Sequence, residues 1–441
     1  MSVASVLSGP LPEAEHRAQL RKAVIASTVG TTIEWYDFLL YSTVTGLVFG
    51  KLFFPHSDPL TGVLEAFAIY TVGFIARPIG AAIFGHFGDR IGRKATLIAT
   101  LLITGLATFA VGLVPTYESI GIWGAVVLTI IRFIQGLGVG GEWGGSVLLA
   151  MEWARTNKHR GFIASWPQLG GPAGLLLANV AVLVFSQVSG DQFLVWGWRI
   201  PFLLSIVMVG VGLYIRLGIM ETPTFRKIVA EERIERVPVV EVLKRQPKMV
   251  ILSALARTAE QAPAYIYLAF VFAYGTQVLN QSRDFLLSAL ITAGVISLFT
   301  VPIAGALSDR FGRKRIYLIG SVLTGLFGFA YFAMLNTMVP FWIFTGIVLS
   351  FVPHDLMYGP QAALIAECFT PRLRYSGSSI GYQLASITAG GPAPLIATAL
   401  LAAYGSGYVI AAYIAVCAIV SIIATVMMPD HTNRDISQEH A

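Results

Sequence analysis

A ten-residue segment occurs twice in this chain, 220 residues apart, which is half of its 441 residues. The first copy, Gly85–Lys94, reads GHFGDRIGRK, and the second copy, Gly305–Lys314, reads GALSDRFGRK. Each copy is a short, charged, glycine-containing turn between two long apolar segments. Repeated halves of this kind are typical of membrane transporters in which one half rocks against the other. The duplication therefore predicts two structurally related halves.

The composition indicates that both halves lie in a membrane. Hydrophobic residues make up 55% of the chain and charged residues 12%, with a mean hydropathy of +0.71, which is too apolar for a soluble domain of this length. A helix needs about 20 apolar residues to cross a bilayer. Twelve stretches meet this requirement, at 23–48, 61–86, 94–115, 121–151, 161–187, 197–220, 248–275, 285–308, 315–336, 340–367, 377–403 and 406–428. We predict an all-α membrane protein with twelve transmembrane helices in two pseudo-symmetric six-helix halves.

The polar segments predict the domain organisation and the orientation in the bilayer. The predicted parts are a tail at 1–22, a half at 23–220, a linker at 221–247, a second half at 248–428 and a tail at 429–441. With the N-terminus inside, the cytoplasmic segments contain 23 of the 30 lysine and arginine residues. The positive-inside rule therefore predicts that both termini and the linker are cytoplasmic. The same distribution explains the pI of 9.3, so the lipid bilayer is an expected partner and nucleic acid is not.

The duplicated turns resemble the GxxxDRxGRK signature of the major facilitator superfamily. Further stretches resemble its metabolite:proton symporter family, which includes carriers of shikimate, α-ketoglutarate, citrate and proline or betaine. These stretches are Gly30–Phe38, Ala76–Gly80, Arg132–Gly136, Gly140–Gly145 and Trp196–Phe202. The resemblance covers nearly the whole chain and implies the twelve-helix major facilitator fold, proton-coupled transport and a bacterial inner-membrane location. His354-Asp355 and Arg374–Gly377 favour the shikimate-carrier side of the family.

The charges in and near the duplicated turns are candidates for a gate. A carboxylate at Asp89 or Asp309 can meet the positive N-terminal end of a neighbouring helix dipole. A second duplication places an acid and an arginine just after the fourth helix of each half. The predicted gate residues are Asp89, Arg93, Glu152, Arg160, Asp309, Arg313, Glu367 and Arg374. The alternative is that these are ordinary charges of cytoplasmic loops.

Charges inside the apolar stretches are candidates for the transport chemistry. A charge at the bilayer centre costs about 2.5–3.5 kcal/mol on insertion scales, so interior arginines require a polar cavity or acidic partners. A guanidinium also binds a carboxylate in a bidentate geometry. The predicted substrate-binding residues are Arg132, Arg257, Gln135, Tyr41, Arg77, Tyr265 and Tyr382. The predicted proton-coupling residues are Glu34, Asp37, Glu142, Glu260, His354 and Asp355. The alternative for these groups is static internal ion pairing.

Several motifs point away from cofactor chemistry. Gly136–Gly141 fits the GxGxxG pattern, but it lies inside an apolar stretch with no preceding strand, so close helix packing explains it better than dinucleotide binding. No phosphate-binding P-loop sequence is present. Cys368 and Cys417 occur in or beside apolar segments and are interpreted as small buried hydrophobes. We expect no enzymatic activity, no cofactor and no metal.

The sequence favours proton-coupled uptake of a small organic acid or a related polar metabolite by alternating access, by a protein that functions as a monomer. One alternative is a proton symporter of a zwitterionic osmolyte such as proline or betaine. The osmosensing carriers of that kind have a long C-terminal coiled coil, whereas residues 429–441 contain no heptads. A second alternative is proton-driven efflux, since Pro167–Gly174 resembles a motif of drug:proton antiporters. A third is a non-transporting membrane receptor or scaffold.

Overall fold

The structure is a computed structural model that describes residues 12–57, 59–154, 159–230, 237–432 and 434. Within these residues, twelve long helices, α1 to α12, follow one another along the chain. The first six are α1 (Glu13–Val44), α2 (Pro59–Ile91), α3 (Arg93–Leu113), α4 (Trp123–Met151), α5 (Arg160–Ser165 and Gly170–Ser189) and α6 (Arg199–Leu203 and Ser205–Leu217). The last six are α7 (Pro247–Ala256, Thr258–Tyr265 and Val271–Gln277), α8 (Arg283–Phe311), α9 (Arg313–Leu335), α10 (Pro340–Ala366), α11 (Arg374–Ala385 and Ala393–Tyr404) and α12 (Gly407–Met427). The fold is the predicted arrangement of two six-helix halves.

The boundaries differ from the predicted ones mainly at polar residues. α1 begins ten residues before the predicted start, at Glu13, because amphipathic sequence continues the helix outside the apolar stretch. The predicted linker contains two short helices, Pro223–Ala230 and Pro238–Arg245. Residues 1–11, 231–236, 433 and 435–441 of the predicted tails and linker lie outside the described residues.

Among the described residues, ten helices are long and apolar enough to cross a membrane by length and composition. α1 and α7 are the two long helices that do not meet this criterion. Both carry interior charges, Glu34 and Asp37 in α1, and Arg257 and Glu260 in α7. A π-helical turn also interrupts each of them, at Thr45–Phe49 in α1 and Ile266–Phe270 in α7, and π turns often occur at functional sites. Both helices therefore combine interior charges with local departures from α-helical geometry.

Equivalent helices form the interface between the halves. α2 packs against α11 of the other half, and α8 packs against α5 in the same way. α5 also contacts α10, and α4 contacts both α10 and α11. The two duplicated turns lie at one end of the bundle, which we call the charged end.

Glycines allow α2 and α4 to pack with their backbones in contact. A Cβ atom added at Gly80 would lie 2.0 Å from the Leu137 carbonyl oxygen, and one added at Gly140 would lie 2.0 Å from the Arg77 carbonyl oxygen. The GxGxxG-like sequence is thus part of the continuous helix α4, as the packing interpretation predicted.

We expect Gly140→Ala to lower the thermal unfolding temperature of the purified protein. The added methyl group meets a backbone oxygen that cannot rotate away, and overpacking of this kind costs about 1–3 kcal/mol. Gly210→Ala is the matched control, because a Cβ atom at Gly210 in α6 has nothing within 4 Å. Alanine is the better helix former by about 1 kcal/mol, so the control should leave the melting temperature unchanged or raise it. Equal melting temperatures for the two variants would contradict the close-packing interpretation.

Candidate functional site

Two carboxylates at the charged end bridge the two halves. Asp89 of the first turn accepts hydrogen bonds from the backbone N–H groups of Tyr375 (3.3 Å) and Ser376 (2.9 Å), at the start of α11. Asp309 of the second turn accepts hydrogen bonds from the N–H groups of Gly161 (2.7 Å) and Phe162 (2.8 Å), at the start of α5. The first-turn N–H groups of a helix have no partner within the helix, and an anion there is stabilised by the helix dipole. Each half therefore caps a helix of the other half.

Arginines connect these aspartates to the acids that follow α4 and α10. Arg93 lies 3.4 Å from Asp89 and 3.5 Å from Glu152. In the second half, Arg313 lies 3.2 Å from Asp309 and 2.8 Å from Glu367. These ion pairs link the turn of each half to its own fourth helix.

Two further ion pairs cross between the halves. Arg160 lies 2.8 Å from Glu367, and Arg374 lies 3.8 Å from Glu152. All eight predicted gate residues therefore belong to one pair of pseudo-symmetric clusters, which we call the gate clusters. Their side chains are buried, so the charged end is closed in this structure.

Residues just after α6 and α12 complete the gate clusters, and the sequence analysis did not identify them. The N–H group of Lys94 donates to Glu221 (3.1 Å), and the N–H group of Arg313 donates to the hydroxyl of Thr432 (3.1 Å). Thr222 also donates to Glu152 (2.6 Å). The available signal was an acidic residue and a threonine shortly after the sixth helix of each half, Glu221-Thr222 and Asp430 with Thr432.

A cavity lies between the two halves. The wall from the N-terminal half is mostly apolar and consists of Trp35, Leu39, Gly171, Pro172 and Leu175. The wall from the C-terminal half contains the charged and hydrogen-bonding groups and consists of Glu260, Gln261, Ala264, Tyr265, Leu268, Gly294, Ser297, Phe351, His354, Asp355 and Tyr358. The cavity is thus apolar on one side and polar on the other.

Four charged or ionisable side chains form a connected cluster at the polar wall. Glu260 lies 3.0 Å from Arg257 and 3.6 Å from Nε2 of His354, and Nδ1 of His354 lies 3.1 Å from Asp355. Asp355 also accepts a hydrogen bond from Thr300 of α8. Arg257 itself is fully buried behind the wall, where it donates to the Tyr382 carbonyl oxygen.

The carboxylates of α1 have a different environment. Asp37 is fully buried beside the Thr108 hydroxyl, and one oxygen of Glu34 is buried without a hydrogen-bond partner among the described residues. Arg132 is the nearby cation for Asp37, but its guanidinium lies over the rings of Tyr41 (4.3 Å) and Tyr70 (4.7 Å) and donates to Gln135. The described residues contain no Asp37–Arg132 ion pair within 4.0 Å.

Two other interior groups have structural surroundings. Glu142 pairs with Arg216 of α6 and accepts hydrogen bonds from Thr100 (2.7 Å) and Ser146 (2.9 Å). This saturated environment favours a structural role for Glu142 over proton coupling, and Arg216 is a partner that the sequence analysis did not identify. Arg77 lies 4.2 Å from the centre of the Phe38 ring, a cation–π contact.

A stack of side chains separates the cavity from the charged end. The ring of Trp143 in α4 lies 3.5 Å from the ring of Tyr382 in α11, and the Arg257 guanidinium lies 3.2 Å from the centre of the Tyr382 ring. Trp143 also donates to Gln168 (2.7 Å), which donates to the Tyr358 carbonyl oxygen (3.1 Å). These contacts cross between the halves.

The predicted substrate and proton residues therefore lie in two places. The cavity wall contains Tyr265, Glu260, His354 and Asp355. The residues behind the wall or in the N-terminal half are Arg132, Arg257, Gln135, Tyr41, Arg77, Tyr382, Glu34, Asp37 and Glu142. Arg132 and Arg257 are not brought together on one face of the cavity in this closed-end state.

Comparisons with known proteins agree with this architecture. Family models described as "Sugar (and other) transporter" and "Major Facilitator Superfamily" match residues 22–249 and 265–439. The chain is 40% identical over 418 residues to the shikimate transporter of Escherichia coli K12, covering 94% of this chain and 95% of that protein. It belongs to the metabolite:proton symporter family of the major facilitator superfamily.

Further relatives confirm the fold and the class of this transporter. The proline/betaine transporter of Escherichia coli K12 is 33% identical over 428 residues, covering 95% of this chain and 85% of that protein. The solved structure of the proton:xylose symporter XylE bound to 6-bromo-6-deoxy-D-glucose matches with a TM-score of 0.77 at 16% identity, covering 96% of this chain and 98% of that chain. The chain is thus a membrane transporter of small molecules and not an enzyme, as predicted.

We propose that the gate clusters hold the charged end of the transporter closed, and Cys368 provides a native reporter. Burial raises the pKa of the Cys368 thiol, which lies beside Glu367, and a thiol reacts with maleimide only as the thiolate. Opening removes the burial, lowers the pKa towards its ordinary value and increases the labelling rate. Asp309→Asn weakens the cap on α5 by about 2 kcal/mol, so we expect roughly 30-fold faster labelling in a Cys417→Ala background.

Asp191→Asn is the matched control for this experiment, because Asp191 is exposed between α5 and α6. It should label at the rate of the unsubstituted protein. Unchanged labelling of Asp309→Asn would show that the caps do not hold this end closed.

Proposed function

We propose that this protein is a proton-coupled symporter that takes up a small organic acid by alternating access. The observations that carry the proposal are a central cavity between the halves, a charged end closed by the buried gate clusters, and a fully buried carboxylate, Asp37, on α1. Transport needs a cavity that opens to one side at a time. Coupling needs a group whose charge changes during the cycle, and Asp37 is a buried carboxylate whose neighbours are the Arg132 guanidinium and the Thr108 hydroxyl.

The charge distribution supports the orientation of this proposal. The charged end carries most of the lysines and arginines, so the positive-inside rule assigns it, the linker and both termini to the cytoplasm. The cavity is then closed towards the cytoplasm in this structure. The relatives include an inner membrane metabolite transport protein of Escherichia coli K12, which supports an inner-membrane location. Each half buries its gate residues against the other half of the same chain, which supports function as a monomer.

The two unlike walls of the cavity support a small ring or short chain with polar substituents on one side. Trp35 and Leu39 supply apolar contacts, while Gln261, Ser297 and Tyr265 supply hydrogen-bonding groups. One relative is named a shikimate transporter, and a hydroxylated cyclic acid has this distribution of polar groups. The side chains that line the cavity therefore favour a hydroxylated carboxylic acid.

The second candidate substrate is a zwitterionic osmolyte. The specific observation in its favour is that acidic Glu260 and Asp355 share the cavity with the aromatic rings of Trp35 and Tyr358. Such an arrangement can hold a quaternary ammonium group by cation–π contacts. A relative at 33% identity is named a proline/betaine transporter.

In the proposed cycle, Asp37 takes a proton while the cavity faces outside and Arg132 stays with Gln135 and its aromatic cage. After the cavity opens to the cytoplasm, Asp37 releases the proton and pairs with Arg132. The exchange of partners changes the contacts between α1 and α4, which pack against each other in the N-terminal half. Arg257 orients Glu260 at the polar wall. The substrate therefore binds mainly to residues of the C-terminal half, while Asp37 in the N-terminal half binds the proton.

Counterflow in proteoliposomes tests the proposed function. We expect accumulation of labelled shikimate or another hydroxylated acid from a panel that also contains citrate, α-ketoglutarate, proline and betaine. An inward proton gradient should stimulate uptake and a protonophore should abolish it. Uptake driven by a sodium gradient and indifferent to pH would refute proton symport, and exchange of betaine alone would select the second candidate.

Asp37→Asn should separate exchange from accumulation. The amide imitates the protonated carboxyl group, so we expect counterflow at equal pH to persist within about threefold, while accumulation driven by a proton gradient falls to the level of empty liposomes. Asp284→Asn, at the exposed start of α8, is the control and should accumulate substrate normally. Gradient-driven accumulation by Asp37→Asn would remove this residue from the coupling mechanism.

A further inference from the structure

His354 lies between two carboxylates at the cavity wall. Its Nδ1 atom is 3.1 Å from Asp355 and its Nε2 atom is 3.6 Å from Glu260. Tyr358 stacks on the imidazole ring at a centroid distance of 5.1 Å, and Thr300 fixes Asp355 from α8. Both ring nitrogens therefore face an acceptor, and the ring is held in place.

This geometry selects one protonation state of the ring. A neutral imidazole has one N–H donor and one lone pair, so one of the two nitrogens would direct its lone pair at a carboxylate. The imidazolium form donates from Nδ1 to Asp355 and places its positive charge 3.6 Å from Glu260, a distance of ionic attraction and not of hydrogen bonding. The two carboxylates together therefore favour the imidazolium over a neutral ring.

The charge balance of the whole neighbourhood leads to the same state. The charged groups beside His354 are Glu260 from α7 and Asp355 from its own helix, and Tyr358 of that helix stacks on the ring. Arg257 pairs with Glu260, and Tyr265 of α7, Tyr317 of α9 and Tyr382 of α11 lie around that pair. Glu34 of α1 lies near Tyr358 and Tyr382. α8 contributes the hydroxyl groups of Ser297 and Thr300, and the described part of α5 contributes apolar residues at this wall. Arg257 balances Glu260, so Asp355 is left without a cation unless His354 is protonated.

We propose that His354 is a second proton site, whose proton neutralises the polar wall and thereby admits an anionic substrate. The inference rests on the proposed function, and it deepens it by adding a charge filter at the substrate site. With His354 protonated, the four groups Arg257, Glu260, His354 and Asp355 sum to zero. Without the proton they sum to minus one, and a buried negative charge repels a carboxylate.

The proton and the anion then travel together. On the outer side, His354 takes a proton from water and the cavity accepts the acid anion. On the cytoplasmic side, the imidazolium N–H bond breaks, the proton leaves to water, and the neutral ring leaves Asp355 uncompensated, which expels the anion. With Asp37 as the first site, the transporter moves two protons per substrate.

Nitrogen-15 NMR of the full-length protein in liposomes tests the protonation state without any substrate. The probe is uniformly labelled histidine, and the resonance absent from His354→Gln identifies the residue. We expect both ring nitrogens of His354 to be protonated at pH 7, and Asp355→Asn to convert the ring to a neutral tautomer at that pH. A neutral ring in the unsubstituted protein at pH 7 would overturn the proposal, whatever the protein transports.

A charge-rescue experiment tests the filter with labelled shikimate. His354→Gln leaves the wall at minus one, and like charges in a desolvated site cost several kcal/mol, so we expect roughly 100-fold weaker shikimate binding. The double variant His354→Gln/Asp355→Asn returns the wall to zero. It should recover binding to within about tenfold and should transport one proton fewer per shikimate, as measured by parallel proton and shikimate fluxes. His56→Gln, in the exposed loop after α1, is the matched control and should behave as the unsubstituted protein.

The outcomes separate this inference from the proposed function. Failure of every protein form to transport any acid of the panel refutes the proposed function, while the NMR result still decides the state of His354. If the unsubstituted protein transports shikimate and the single and double variants bind it equally weakly, His354 contributes the shape of its side chain and not its charge. That result would overturn the charge filter. An unchanged proton-to-shikimate ratio in the double variant overturns the second proton site.

Discussion

The closed state depends on two carboxylates, each capping a helix in the opposite half. The first-turn N–H groups of α5 and α11 are buried at the interface, where water cannot satisfy them, and Asp309 and Asp89 accept from them instead. An ionised acceptor gains twice here, from charge-assisted hydrogen bonds and from the helix dipole. Because Arg93 and Arg313 tie each aspartate to its own half, separation of the halves must expose all of these groups together. Water then replaces each lost partner. The charged end therefore has a closed state in which these groups are hydrogen-bonded to each other and an open state in which they are hydrated. Partial openings between the two states have a higher free energy.

The two halves are alike at the charged end and unlike in the interior. In the N-terminal half, the Glu142–Arg216 pair is saturated, while Asp37 lies apart from it, near Arg132 and Thr108. In the C-terminal half, the interior charges form one connected cluster at the cavity wall. Duplication supplied symmetric gate clusters, and divergence gave one half a buried carboxylate and the other half a polar wall.

The interior charges lower the hydropathy of the helices that carry them, because α1 and α7 are the long helices that are not apolar enough to meet the criterion for a membrane span among the described residues. Packing inside the bundle, with apolar helices outside them, makes those charges tolerable.

The sequence was sufficient for the fold and for eight residues of the gate clusters, but it did not identify Glu221, Thr222 and Thr432. It was much less informative about the cavity. The Asp89–Arg93 and Asp309–Arg313 pairs lie four residues apart in one segment, and their repetition at the same place in each half made their partners predictable. Periodicity assigns residues to a face of their own helix, but it does not show which helix that face meets. For this reason Arg216 was not recognised as the partner of Glu142, and Arg132 was expected at the substrate when it lies in a cage of aromatic rings. The contact between Trp143 and Tyr382 depends on the packing of α4 against α11 across the halves, which neither helix indicates by itself.

α11 connects the charged side chains near the cavity to the contacts that close the charged end. Its first turn is capped by Asp89, and Tyr382, seven residues along the same helix, lies between Trp143 and Arg257. Seven residues are about two helical turns, or roughly 10 Å, a length over which a helix moves as a rigid rod. Arg257 in turn pairs with Glu260 at the cavity wall. A change in the charge that Arg257 must balance alters its position over the Tyr382 ring, and any displacement of that ring along α11 also displaces the N–H groups that Asp89 accepts from. The contacts therefore form a continuous route from the occupant of the cavity to the gate, with a single helix as the moving part.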